Sequence, residues 1–470
     1  MTFNSLQFLV FFMVVTLWFF RLKNQKGRIW LLLIASCYFY MSFIPEYILI
    51  LGGTVVVDYF AGILIDKSKG STRKFWLIIS LITNVGVLAV FKYYNFFIDN
   101  IHEGLLLFGK TVTLPMLKMA LPIGLSFHTF QAMSYTIEVY MENQHAEKKF
   151  INYAVYVMFF PQLVAGPIER PQNVLPQLRE FRPYNWDNVK EGLTRMLWGF
   201  FKKVVIADRL AMVVDRTFAH TQESSSTALL IGSLFYYFQI YCDFSGYSDI
   251  ALGAAKTMNI KLMENFNQPF FSKNLSDFWK RWHISLYSWF YDYLFNPVVF
   301  SFRKLQRAAI PIGVLIIFTL SGLWHGAKWN FIVYGLIQGI ALAYEYFTVK
   351  VRKKIFGKMP SGINIIIGTI ITFCFVSFAE IFFRSETLVG AIAYIKKIFS
   401  FQSGSNYVGL NMVELLFSVL VIAIMLLREK LLPGHFISSN KRFYIYATFM
   451  VAICYFFGVF MENQFIYFQF

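Results

Sequence analysis

Two histidines in apolar surroundings carry the sharpest chemistry in this sequence. His325 stands in Ser321-Gly322-Leu323-Trp324-His325-Gly326, at the end of the apolar run 312–323. An ionisable side chain at membrane depth is costly, so its presence points to a function. An apolar lining favours the neutral imidazole, and a neutral imidazole is what a general base requires. Gly322 and Gly326 are expected to open space beside it, with Trp324 as a flat apolar wall. On these residues alone a catalytic and a structural histidine both stay open. His283 closes the run Phe278-Trp279-Lys280-Arg281-Trp282-His283, in which Trp279 and Trp282, three apart, share a helix face. An interfacial helix accounts for Trp beside Lys and Arg. A histidine ending a cluster that already holds two cations has little stabilising purpose there.

A third run, Cys242-Asp243-Phe244-Ser245-Gly246-Tyr247-Ser248-Asp249, sets two carboxylates six residues apart with small residues between them. Small residues let a neighbouring helix or a substrate approach the backbone, so a polar seam and a pocket wall are both open readings. Asp58 and Glu138 read as buried, hydrogen-bonded carboxylates. His102, His128, His145, His220 and His435 sit singly near the ends of apolar stretches or in connections and read as structural. The four cysteines lie apart, with no metal-ligand spacing and no disulfide pattern. Neither GxSxG, Walker A, GxGxxG nor HExxH occurs. Acyl transfer here would need a positioned base that deprotonates a hydroxyl for direct attack on a thioester.

The elements that must hold these residues follow from composition. Of 470 residues, 57% are hydrophobic and only 15% charged, and Phe occurs 55 times. Mean hydropathy is +0.53. A soluble chain carries roughly a quarter of its residues charged, so a soluble enzyme is excluded. Apolar stretches are predicted at 5–20, 29–44, 47–65, 75–91, 113–140, 151–166, 193–214, 227–254, 278–299, 309–324, 328–348, 362–383, 411–427 and 443–461. About eleven are expected to cross the membrane. Segments with central charge, above all 193–214 with Lys202 and Lys203, are expected to be re-entrant or interfacial. The result is an all-α polytopic protein forming one domain over residues 1–470.

The net charge of +17 sits in short blocks between apolar runs, which fits anionic lipid headgroups and not nucleic acid. The connections at 21–28 and 66–74 each carry four positive charges, and the one near Pro45-Glu46 carries none. This alternation puts the N-terminus outside and the first and third connections in the cytoplasm. The five positive charges of 350–358 mark another cytoplasmic connection.

The motifs come in a recognisable order. Leu121-Pro122-Ile123-Gly124-Leu125-Ser126-Phe127 is followed by Phe160-Pro161-Gln162-Leu163-Val164-Ala165-Gly166-Pro167-Ile168. Then come Asp243 to Asp249, Glu264-Asn265-Phe266-Asn267-Gln268-Pro269, Asp277 to Leu286, and Gly322-Leu323-Trp324-His325-Gly326-Ala327. Over about 121–345 the sequence resembles the membrane-bound O-acyltransferase family, and within it the alginate O-acetyltransferase-like subgroup. After Asp292-Tyr293-Leu294 it departs from the subgroup's Gly-Gly-containing basic loop, which leaves the polymer open.

The resemblance implies a ring of tilted helices around a central tunnel in a bacterial inner membrane. It puts the family's near-invariant histidine on His325 and its second functional histidine on His283. It implies acetyl-CoA as acyl donor, with no tightly bound cofactor or metal. A polysaccharide is the implied acceptor, and an extracytoplasmic SGNH-type acetyltransferase the implied partner. By residue type, Trp279, Trp282 and Trp324 are expected to line the tunnel, Lys280 and Arg281 to meet the CoA phosphates, and Asp243 to bind substrate. D-alanyl transfer toward teichoic acid on the same fold is the nearest alternative. A proton-coupled transporter is a more distant one, and the lack of an internal repeat counts against it.

Overall fold

The computed structural model describes residues 1–470 apart from 111, 113, 120, 357, 433, 435, 436, 461–464 and 467–470. His435 therefore lies outside the described residues. Helices account for the regular structure, and among the described residues the only ladder contact is an isolated bridge between Ser224 and Ser405. Among the described residues, five helical stretches are long and apolar enough to cross a membrane: Tyr47–Lys67, Gly70–Leu107, Arg303–His325, Trp329–Ile355 and Ser361–Arg384. Leu6–Arg21 is apolar but shorter.

Several predicted stretches are interrupted, each for a local reason. The stretch 278–299 breaks after Leu275–Trp279, and its helix resumes as Ile284–Phe290, which continues through the π-turn Tyr291–Phe295 into Asn296–Ser301. His283 sits at one of the breaks with φ 45 and ψ 51, a left-handed conformation that costs a non-glycine residue about 1–2 kcal/mol. The stretch 193–214 contains the π-helical segment Phe201–Ala207, where Lys202 and Lys203 are both buried. In the described part of the stretch 113–140 the helix begins at Leu125, after Gly124 at φ 75.

The chain forms two compact units. The first comprises Met1–Leu197, Tyr247–Met263 and His435–Tyr446. Its helices Tyr47–Lys67, Gly70–Leu88 and Leu125–Tyr140 meet at a buried polar node. There Asp58 accepts hydrogen bonds from Ser80 Oγ at 2.6 Å and Asn84 Nδ2 at 2.8 Å, and Ser80 Oγ lies 2.9 Å from Thr136 Oγ1. Gly62 lets Tyr135 approach its helix closely, because a Cβ there would stand 2.4 Å from the Tyr135 ring. Asp249 pairs with Arg195 at 2.8 Å in this unit.

The second unit comprises Trp198–Gly246, Glu264–Gly434 and Ala447–Phe470. It holds both candidate histidines. Its centre is the antiparallel pair Ala309–His325 and Trp329–Phe356, joined by a turn at Gly326. The pair touches backbone to backbone. A Cβ on Gly322 would lie 2.2 Å from the Phe331 carbonyl oxygen, and one on Gly335 would lie 2.1 Å from that of Phe318.

This corrects the expectation that Gly322 and Gly326 open space beside His325. Phe331 fills both places, its carbonyl at Gly322 and its ring at Gly326. Small residues at this crossing serve helix contact, the usual role of glycine between packed membrane helices.

Candidate active site

His325 ends its helix fully inside the second unit, 6% exposed. Its ring packs edge-on to Phe383 at 5.2 Å, to Trp324 at 4.9 Å and to Tyr334 at 6.5 Å. The Trp324 ring stands 6.3 Å from that of His283, so it is packed against both imidazoles. Behind His325, Tyr334 donates its hydroxyl to the buried Glu380 at 3.1 Å, which fixes the tyrosine ring.

His283 is held from the other side by the segment at Asn265. Asn265 Oδ1 accepts from Ser285 Oγ at 2.9 Å and from the Ser285 backbone N–H at 3.3 Å. The same oxygen lies 3.2 Å from His283 Nδ1. An oxygen accepts only, so Nδ1 carries the proton and Nε2 keeps the lone pair of the neutral ring. Backbone bonds from Ile284 N–H to Asn265 O and from Asn267 N–H to Arg281 O, both 2.9 Å, lock the two segments together. His283 lies outside the helices long enough to span a membrane. Burial, and secondarily the nearby His325, hold its imidazole well below the usual range, so it is neutral at physiological pH.

Beside these histidines runs an apolar cavity of about 430 Å³, far more room than an acetyl group fills. Trp279, His283 and Leu286 line it from the broken segment, and Ile310, Val314, Ile317, Phe318 and Ser321 from the His325 helix. Leu342, Glu345, Tyr346, Val349 and Arg352 come from the helix Trp329–Phe356. Ser321 is one helical turn short of His325. At its other end the cavity shares Asn274, Val349 and Arg352 with a recess of about 340 Å³ that adds Lys273, Lys353 and Asn364. One part of the cavity is therefore cationic, and His283 lines another; His325 itself stands outside the lining, one turn beyond Ser321. Glu345 braces the wall by accepting from the backbone N–H groups of Leu275 and Ser276 at 2.9 and 3.1 Å.

The residues singled out in the sequence separate accordingly. Trp279 and His283 line the cavity, whereas Trp324, expected to line it too, packs against the His283 and His325 rings outside the lining. Trp282 is buried against Phe278, Phe266 and Tyr241 and lies outside the cavity lining. Arg281 pairs with Asp277 at 2.8 Å and Lys280 is exposed; neither lines the cavity or its recess. The cations at the mouth are instead Lys273, Arg352 and Lys353. Asp243 is buried in an ion-pair network, accepting from Lys203 at 2.6 Å and from the Ile466 backbone N–H at 2.6 Å, while Lys203 also reaches Asp208 at 2.9 Å. Sequence reasoning gave no role to Asn265 or Gln338. Gln338 was detectable as a polar residue in the apolar run 331–343. Among the described residues no cluster of His, Cys, Asp and Glu has the form of a metal site.

Residues 144–384, which contain both histidines, match the membrane-bound O-acyltransferase family. The chain is 36% identical to the probable alginate O-acetylase of Pseudomonas aeruginosa, over 91% of this chain and 82% of that one. The chain belongs to the membrane-bound O-acyltransferase family. It is also 35% identical to the peptidoglycan O-acetyltransferase of Helicobacter pylori, over 83% of this chain and 75% of that one. It is 30% identical to the teichoic acid D-alanyltransferase of Bacillus subtilis, over 56% of this chain and 69% of that protein. As a membrane-bound O-acyltransferase it is a multi-pass membrane enzyme that transfers acyl groups to oxygen.

Proposed function

We propose that this O-acyltransferase takes acetyl groups from cytosolic acetyl-CoA and delivers them across the membrane for O-acetylation of a surface polysaccharide. The observation that supports it best is the course of the cavity, from a cationic mouth to His283 and to within one turn of His325. A thioester on a phosphopantetheine arm has matching chemistry, with phosphate at one end, an apolar arm between and the reactive carbonyl at the other. Two relatives named for O-acetyl transfer, to alginate and to peptidoglycan, favour acetate as the cargo.

In this reading Lys273, Arg352 and Lys353 take the CoA phosphates, the role first expected of Lys280 and Arg281. His325 removes the proton from the acceptor hydroxyl, whose oxygen attacks the thioester carbon. The C–S bond breaks, and the thiolate takes the proton back from the imidazolium. His283, with its Nε2 lone pair, assists from the facing side. The basic stretch 350–358 is cytoplasmic by the positive-inside rule, so the mouth opens to the cytosolic donor. By the alternation of positive charge over the first three connections the N-terminus is extracytoplasmic, and the chain makes about eleven crossings. An SGNH-type acetyltransferase outside completes transfer to the polymer.

The test uses cells lacking the native gene, complemented with wild type or His325→Gln. Gln fills similar space and hydrogen-bonds but cannot act as a base at neutral pH. A base contributes about 10²–10⁴-fold, so His325→Gln at normal abundance should leave almost no ester-linked acetate on the polymer. Near-normal acetate would make His325 structural. Ester-linked alanine in wild-type cells, in place of acetate, would move the cargo to D-alanine, the group named for the Bacillus relative.

A further inference from the structure

Gln338 is completely buried in the helix Trp329–Phe356. Its side chain meets Trp279, whose indole N–H lies 3.3 Å from Gln338 Oε1. An indole nitrogen only donates, so the carboxamide must turn its oxygen toward Trp279 and its NH₂ away. That NH₂ has no hydrogen-bond partner among the described residues. Two N–H donors in an apolar interior, with nothing to accept from them, cost free energy comparable to a lost hydrogen bond or more. A ligand oxygen would satisfy them.

Helix register says where that oxygen would be. On the same face, four residues apart, stand Tyr334, Gln338 and Leu342. Tyr334 packs against His325, and Leu342 is the innermost cavity residue of this helix. Gln338 is thus about 6 Å along the axis from each, at the level between the end of the cavity and the base. Its partner Trp279 lines that cavity together with His283.

We infer that the Gln338 carboxamide is the oxyanion donor of the transfer step, hydrogen-bonding the thioester carbonyl oxygen as charge develops on it. The inference rests on the acyl-transfer reading. As the acceptor oxygen bonds to the carbonyl carbon, the carbonyl π electrons move onto that oxygen. They return when the C–S bond breaks and the thiol leaves with the proton. Preorganised donors in a dry site stabilise this charge without reorganisation, and removing one such donor lowers kcat about 10²–10³-fold. Trp279 acts as a positioning residue, because its indole decides which end of the amide faces the substrate.

The experiment is a double-mutant cycle on purified protein in detergent, supplied with the host's extracytoplasmic SGNH-type acetyltransferase and cell-envelope glycan, reading thiol release from acetyl-CoA. The variants are Gln338→Met, Trp279→Phe and the pair, each checked by melting temperature. Gln338→Met should lower kcat about 10²–10³-fold both with Trp279 present and in the Trp279→Phe background, with KM for acetyl-CoA within about threefold of its parent. If Gln338 merely accepts a bond from Trp279, Gln338→Met will have no further effect in the Trp279→Phe background, and the inference falls. An effect confined to KM also overturns it. A wild-type protein that releases no thiol would defeat the acyl-transfer reading itself, an outcome distinct from full-rate turnover by Gln338→Met.

Discussion

At the scale of single residues, the side chains that react differ from those that hold them in place. His283 is fixed through Nδ1 by Asn265 and keeps a lone pair at Nε2, so its substitution should be felt in turnover. His283→Ala is expected to lower acetyl transfer strongly while leaving abundance and detergent stability near wild type; loss of folded protein would give it a structural role instead. The mouth makes a contrasting prediction. Arg352→Ala with Lys353→Ala should raise KM for acetyl-CoA roughly three- to tenfold with kcat nearly unchanged, the size expected for partly solvated charge pairs. Lys280→Ala should do almost nothing, and a comparable KM effect there would return the phosphates to the site first expected. The histidines were legible because an ionisable group beside an apolar run is conspicuous in one dimension. The mouth was not. Lys273 and Arg352 are nearly eighty positions apart in the chain, and only folding brings them to one recess.

At the scale of elements, hydropathy found where helices run but not where they break. The segment 278–299 has an apolar composition that suits a crossing, yet its helix breaks at His283, whose left-handed backbone no helix continues through, and resumes only from Ile284, running through a π-turn to Ser301. Nothing in a hydropathy window distinguishes that residue. The buried lysines of 201–207 were more readable, since charge in the middle of an apolar stretch demands partners, and Lys203 finds them in Asp243 and Asp208. The glycines near His325 were visible but misread, since their neighbours come from the following helix. Contact at Gly335 is close enough to test. Gly335→Ala places a Cβ 2.1 Å from the Phe318 carbonyl oxygen, so the helix pair must part, at about 1–3 kcal/mol. A lowered melting temperature and slower transfer are expected together. A variant with wild-type stability would show that the crossing is looser than described.

At the scale of the whole molecule, the claim is directional: the donor enters on one side of the membrane and the acetyl group leaves on the other. The proposed cytoplasmic mouth rests on the basic stretch 350–358, which contains Arg352 and Lys353 and fits the positive-inside rule. The measurement that tests this most directly uses sealed vesicles of both orientations, prepared from cells that make the enzyme and its envelope glycan. Each is supplied externally with acetyl-CoA labelled in the acetyl group. Label should reach luminal glycan only in inside-out vesicles, whose cytoplasmic face meets the donor, and His325→Gln should abolish it. Equal labelling from right-side-out vesicles, or undiminished labelling with His325→Gln, would contradict the account.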